Sequence, residues 1–144
     1  MSIYHISIIV YAYPSLKPDE AHVALCVNKP DLEPFYIYHA TEDTNTDAEM
    51  KFQREVKDRD PRGSLTPHQE VPLPSISESQ FAQLDSVLRS TQVPRPKAAT
   101  WNCQTWVKQA MDNMESANLL PSGAASAYYA EMMSRVDANT TKSG

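Results

Sequence analysis

The order of elements along the chain predicts an α+β domain. An antiparallel sheet of about four or five strands from the N-terminal half should pack against about three C-terminal helices. Two observations carry this. Runs rich in β-branched and aromatic residues, closed by proline or polar turns, fill the first half. Apolar residues at helical spacing fill the second. A parallel sheet would instead alternate strands with helices.

The first strand is expected over Tyr4 to Tyr11, ending at Pro14, and a Pro/Asp/Lys loop follows from Ser15 to Glu20. His22 to Val27 makes the second strand, closed by Asn28-Lys29-Pro30, and Phe35 to Ala40 the third, stopping in the polar stretch Thr41 to Asp47. A hairpin between these two would pair Cys26-Val27 with Phe35-Tyr36 near its turn. Shorter strands are expected over Met50 to Val56 and Gln69 to Leu73. Pro72 cannot donate to a central ladder, so it assigns the latter to an edge.

Ser77 and Gln80 have capping-box spacing, and Ile76 and Phe81 have hydrophobic-staple spacing. The stripe Phe81, Leu84, Val87, Leu88 then predicts the first helix. Past the stiff Val93 to Pro96 link, Asn102 suits the N-cap of a second helix. Its apolar face is Cys103, Trp106, Val107, Ala110, Met111 and Met114. A third helix should run from Ser122 past Arg135. Residues 1–138 thus read as one domain and 139–144 as a flexible tail.

With 144 residues and a 41% hydrophobic share, the chain can bury a core without disulfides or metals. Eleven prolines against three glycines imply stiff connections and leave no glycine-rich phosphate loop. A net charge of −5 without a basic cluster argues against a nucleic-acid partner. The apolar start, Ile3 to Val10, is too short to span a bilayer and lacks the basic flank of a signal peptide. No integral membrane segment is expected, and the location is read as cytoplasmic, where the two cysteines stay reduced. Nor is any cofactor or metal called for, since no histidine pair has ligand spacing on one helix.

Cys103 carries the chemical interest. At a helix start, unpaired backbone N–H groups and the positive end of the helix dipole favour a thiolate and can hold an oxyanion. A nucleophile also needs a base. His22 opens one strand and His39 closes the next, so both lie at the open end of the expected hairpin. One can act as base and the other can orient it. Against this stands the ordinary reading, in which Cys103 is a small buried hydrophobe and the histidines are satisfied strand-end residues. Cys26, mid-strand, is expected to be core. His5 and His68 have no evident partner, and Tyr11, Tyr36 and Tyr38 are expected to pack. The acidic residues Glu42, Asp43, Asp47, Asp58 and Asp60 read as solvated loops.

Three pieces, Ala21-His22-Val23-Ala24-Leu25, Tyr38-His39-Ala40 and Trp101-Asn102-Cys103-Gln104-Thr105-Trp106-Val107, together resemble the circularly permuted papain-like proteins. Two branches are similar, the lecithin:retinol acyltransferase-like acyltransferases and the PPPDE-type thiol peptidases. In both a strand histidine precedes a cysteine at a helix start. The chain is also similar to uncharacterised fungal proteins with the same His-x-Ala-Leu and Trp-Asn-Cys-x-x-Trp-Val pieces. The resemblance implies a permuted papain-like (NlpC/P60–LRAT-type) topology. It implies Cys103 as nucleophile, His22 as base and His39 as the orienting third residue, with Trp101, Asn102 and Gln104 in support. Val23 departs from the aromatic that the acyltransferases carry after the first histidine. Their membrane-anchoring segment and the peptidases' glycine-bearing segment are both missing, so the fold and site transfer more directly than the substrate.

The expected function is a cysteine-dependent hydrolase or acyltransferase acting on an ester, thioester or amide of a small molecule or peptide, through an acyl-Cys103 intermediate. Two alternatives stand beside it: a non-catalytic binding module on the same fold, and a fungal secondary-metabolite enzyme that does not use the thiol. Oligomeric state is left open.

Overall fold

Successive side chains of the central strands enter two different buried clusters, and that alternation defines the two faces of the sheet. The computed structural model describes residues 3–12, 14, 21–29, 34–42, 50–58, 68–91 and 103–140. Five strands form: β1 (Ile3–Tyr11), β2 (His22–Asn28), β3 (Phe35–Glu42), β4 (Met50–Lys57) and β5 (Gln69–Ser77). Three helices follow: α1 (Phe81–Ser90), α2 (Cys103–Ser116) and α3 (Ala124–Asn139). The expected strand-then-helix order is the observed one.

The strands make one antiparallel sheet in the order β4-β3-β2-β1-β5. Pro72 does lie on an edge strand, together with Pro74, so no central ladder loses a donor. Val27 pairs with Tyr36 and Cys26 with Ile37, close to the expected hairpin register.

On one face Ile6, Ile8 and Val10 of β1, Val23, Leu25 and Val27 of β2, and Val71 and Leu73 of β5 meet the helices. Leu84 and Leu88 of α1, Trp106, Val107, Met111 and Met114 of α2, and Met132 and Val136 of α3 complete this core. The helix α2 lies over β2 and β3, and α3 lies over β1 and β5. The alternate residues Ile9, Ala24, Cys26, Phe35 and Ile37 form a second buried cluster on the opposite face, with Tyr11 against it. Cys26 is therefore core, on the face away from the helices.

The capping box forms, with Gln80 Oε1 accepting from the Ser77 backbone N–H at 2.9 Å. It caps a short 3-10 turn, Glu78–Gln80, and α1 begins only at Phe81. Phe81 stacks on Tyr4 with ring centroids 4.5 Å apart and meets Tyr36 at 4.9 Å, so its aromatic contacts go to β1 and β3. The start of α3 is held by its neighbour: Glu115 of α2 accepts from the Ala125 N–H at 3.0 Å. Helix α3 continues to Asn139, one residue into the stretch read as tail. Asn139 Nδ2 and Thr140 Oγ1 donate to the Arg135 and Val136 carbonyls and tie down the last helical turn.

A charged clamp joins α1 to the sheet. Asp85 Oδ1 accepts from the Tyr38 hydroxyl at 2.8 Å and lies 2.9 Å from Arg54 Nε, while Oδ2 takes Arg89 at 2.7 Å. Burial alone would raise the Asp85 carboxyl, but the Tyr38 and Arg89 hydrogen bonds and the Arg54 and Arg89 charges outweigh it and hold its pKa below the usual value. Burial in turn pushes the Tyr38 hydroxyl well above its ordinary value, so it stays a donor.

Candidate active site

The two histidines reach the same face of the sheet through strand pairing. Leu25 pairs with Tyr38, so His22 and His39 fall on the face that carries Ala24 and Cys26, diagonal to one another across β2 and β3. Ala24, between them, is small enough to leave room for both rings. His22 Nε2 lies 2.8 Å from His39 Nδ1, with the rings at 71°. The register that the sequence left open is thus the one that lets the histidines touch.

A third member comes from β4. Ile37 pairs with Glu55 and His39 with Gln53, which makes Glu55 the diagonal neighbour of His39 on that face. His39 Nε2 lies 3.0 Å from Glu55 Oε2. The oxygen sits off the ring N–H direction, so Nε2 has no well-aligned acceptor and the contact acts mainly through charge. The other oxygen, Oε1, is 3.3 Å from Lys57 Nζ. Sequence reading passed over Glu55. Its signal was the period of β4, which puts residue 55 on the histidine face once β4 pairs with β3.

Tyr11 closes the other side. It pairs with His22 in the β1–β2 register, and their rings lie 6.1 Å apart at 25°. The His68 ring lies on the far side of Tyr11, with centroids again 6.1 Å apart. Tyr11, His22, His39 and Glu55 thus make a row across β1, β2, β3 and β4, with His68, the residue before β5, at its end. His5 is elsewhere, with Nδ1 3.2 Å from Ser75 Oγ.

Burial dominates the electrostatics of this row. It lowers the His22 pKa to about 4, with the His39 charge adding to the effect and Glu55 opposing it. His39 is also lowered by burial, against the pull of Glu55. Burial raises Tyr11, with Cys26 and Glu55 contributing. Both histidines are therefore neutral at pH 7.

Cys103 is the first residue of α2 and is 8% exposed. Its Sγ lies 3.6 Å from the carbonyl oxygen of Ala21, the residue directly before His22. Gln104 Nε2 donates to the same oxygen at 2.9 Å, which pins the start of α2 to the start of β2. The peptide plane sets that oxygen about 2.8 Å from the His22 Cα, so the sulfur lies within about 6.5 Å of that Cα. The thiol arrives from the helix face and the imidazole belongs to the other, so the two flank the Ala21–His22 peptide. Trp101 and Asn102, the remaining supporting residues, lie outside the described residues.

Among the described residues no group of three His, Cys, Asp or Glu side chains is arranged to hold a metal ion. The His22–His39 contact occupies one ring nitrogen of each histidine. No described helix is long and apolar enough to cross a membrane.

No curated protein and no solved structure matches the chain. A family profile does, over residues 6–121, a stretch that contains Cys103, both histidines and Glu55. The chain belongs to that family, a family of unknown function (DUF6540).

Proposed function

We propose that this protein is a cysteine-dependent hydrolase or acyltransferase, in which Cys103 attacks an ester, thioester or amide carbonyl and His22 moves the proton. The observation that carries the reading is the placement of the Cys103 sulfur against the Ala21 carbonyl oxygen, one peptide from His22, whose ring is joined through His39 to Glu55. A buried imidazole pair backed by a carboxylate supplies the base and the orienting groups that a nucleophile needs. The antiparallel sheet with histidine early and cysteine at a later helix start supports a permuted papain-like (NlpC/P60–LRAT-type) domain.

In the reaction Cys103 Sγ bonds to the carbonyl carbon while His22 accepts the thiol proton. The partial positive charge at the start of α2 favours the developing oxyanion. The tetrahedral species expels the alcohol, thiol or amine, which takes the proton from His22, and an acyl-Cys103 thioester remains. Water or another acceptor then attacks that thioester, with His22 accepting its proton and returning it to sulfur. His22 is neutral at rest, so proton transfer accompanies attack; a standing thiolate–imidazolium pair is not needed.

The test is a panel of aryl esters, thioesters and anilides with the full chain and with Cys103→Ala. Turnover that disappears in the variant, together with an acyl adduct on Cys103 by intact-protein mass spectrometry, supports the reading. A folded Cys103→Ala chain that turns over as fast as wild type overturns it. Absence of any turnover, with Cys103 alkylating as slowly as an ordinary buried thiol, favours a binding module on the same fold.

A further inference from the structure

We propose that Glu55 is a positioning residue that sets the proton positions on both histidines and leaves Nδ1 of His22 as the accepting atom. Among the described residues Glu55 supplies the one carboxylate contact of either ring. Its Oε1 is held by Lys57 at 3.3 Å, so Oε2 is the oxygen presented to His39 Nε2 at 3.0 Å.

The argument follows the protons in one direction. An unprotonated Nε2 on His39 would set its lone pair beside a carboxylate oxygen 3.0 Å away, so the proton of neutral His39 resides on Nε2. Even a bent N–H beside that oxygen is favoured over a lone pair beside it. His39 Nδ1 is then the lone-pair atom. It lies 2.8 Å from His22 Nε2, and two lone pairs cannot share that distance. His22 Nε2 must therefore donate, and in a neutral ring that leaves the lone pair on Nδ1. Nδ1 is the nitrogen nearer the His22 backbone, and the Cys103 sulfur stands across the Ala21–His22 peptide from it, 3.6 Å from the Ala21 oxygen. When Nδ1 gains a proton, the new charge is shared along Nε2–H to His39 and met by the carboxylate.

The other groups facing the pair are Tyr11 from β1, Cys26 from β2, and Gln53 and Lys57 from β4. Burial keeps Tyr11 protonated at neutral pH, and Lys57 carries the opposite charge, so neither imposes the same order. Glutamine at position 55 would lose it. Its oxygen can accept from His39 Nε2–H, and its amide can equally donate to a bare Nε2, which reverses both tautomers and protonates His22 Nδ1.

The catalytic consequence rests on Cys103 and His22 acting as nucleophile and base; the tautomers do not. The experiment separates the two. The full chain, labelled with 15N at histidine, is compared by NMR at pH 7 in wild type, Glu55→Gln and Glu55→Asp, with kcat and KM measured on the best ester of the panel. The expected wild-type spectrum shows lone-pair-type nitrogens at Nδ1 of both His22 and His39. Glu55→Gln should show mixed tautomers and a kcat lower by roughly 10- to 1000-fold with KM nearly unchanged, and Glu55→Asp should restore much of each. A proton on His22 Nδ1 in wild type overturns the proposal, as does a Glu55→Gln spectrum with unchanged tautomers. If wild type turns over nothing, the enzymatic reading fails on its own, and the nitrogen shifts still decide the role of Glu55.

Discussion

His22 shows how little a residue type says without its surroundings. An ordinary imidazole titrates near 6.5, yet burial and the adjacent His39 bring this one to about 4. In the proposed reaction, a base with that pKa is already in its working form across the neutral range. The acid limb of kcat/KM should therefore lie near pH 4, with an even plateau from about pH 5 to 7. A pH–rate profile checks this; a limb centred near 6.5 would mean the ring is solvated. The candidate residues Cys103, His22 and His39 were legible in the sequence because a helix start and two strand ends are local features. Glu55 was not, since nothing local distinguishes it from Arg54 or Gln53. Only the pairing of β4 with β3 selects it, and pairing is a long-range fact.

Among the elements, the strands and helices were legible because hydrophobic period and punctuation agree in each. Ser77 and Gln80 formed the capping box their spacing announced, and Pro72 sat on an edge. What the sequence could not supply was the attachment of one element to another. The Asp85 clamp joins α1 to β3 and β4 through residues whose types look like ordinary surface. It also buries a hydroxyl, because Tyr38 is fully enclosed. Asp85→Ala should destabilise the fold by about 1–3 kcal/mol, since it leaves that hydroxyl without its acceptor and Arg54 without its counter-charge. Urea unfolding of the variant beside wild type measures it. A loss below roughly 0.5 kcal/mol would show that water replaces the carboxylate.

For the whole molecule, the buried histidines link stability to pH. Both have folded-state pKa values below the unfolded value of about 6.5, so the unfolded chain takes up protons first as pH falls. Their contribution is complete above about pH 6.5 and is lost as pH falls toward about 4. Asp85, with a lowered carboxyl pKa, adds a further loss only below the ordinary carboxylate range. The urea midpoint should therefore drop between pH 7 and 4.5, and His22→Gln should lessen that drop. A midpoint that holds steady over this interval would contradict the burial of the pair.

The fastening of α2 to β2 through a single carbonyl oxygen has a consequence in time. Ala21 and Cys103 are 82 residues apart in the chain, and β1 joins β5 across a gap nearly as long. Contacts of such separation carry a large loop-closure cost and are made late in folding. Until they close, the sulfur is bathed in solvent and open to oxidants and adventitious electrophiles. Each newly made copy therefore passes through an interval in which this sulfur has no shelter, and how quickly the sheet closes sets how long that interval lasts.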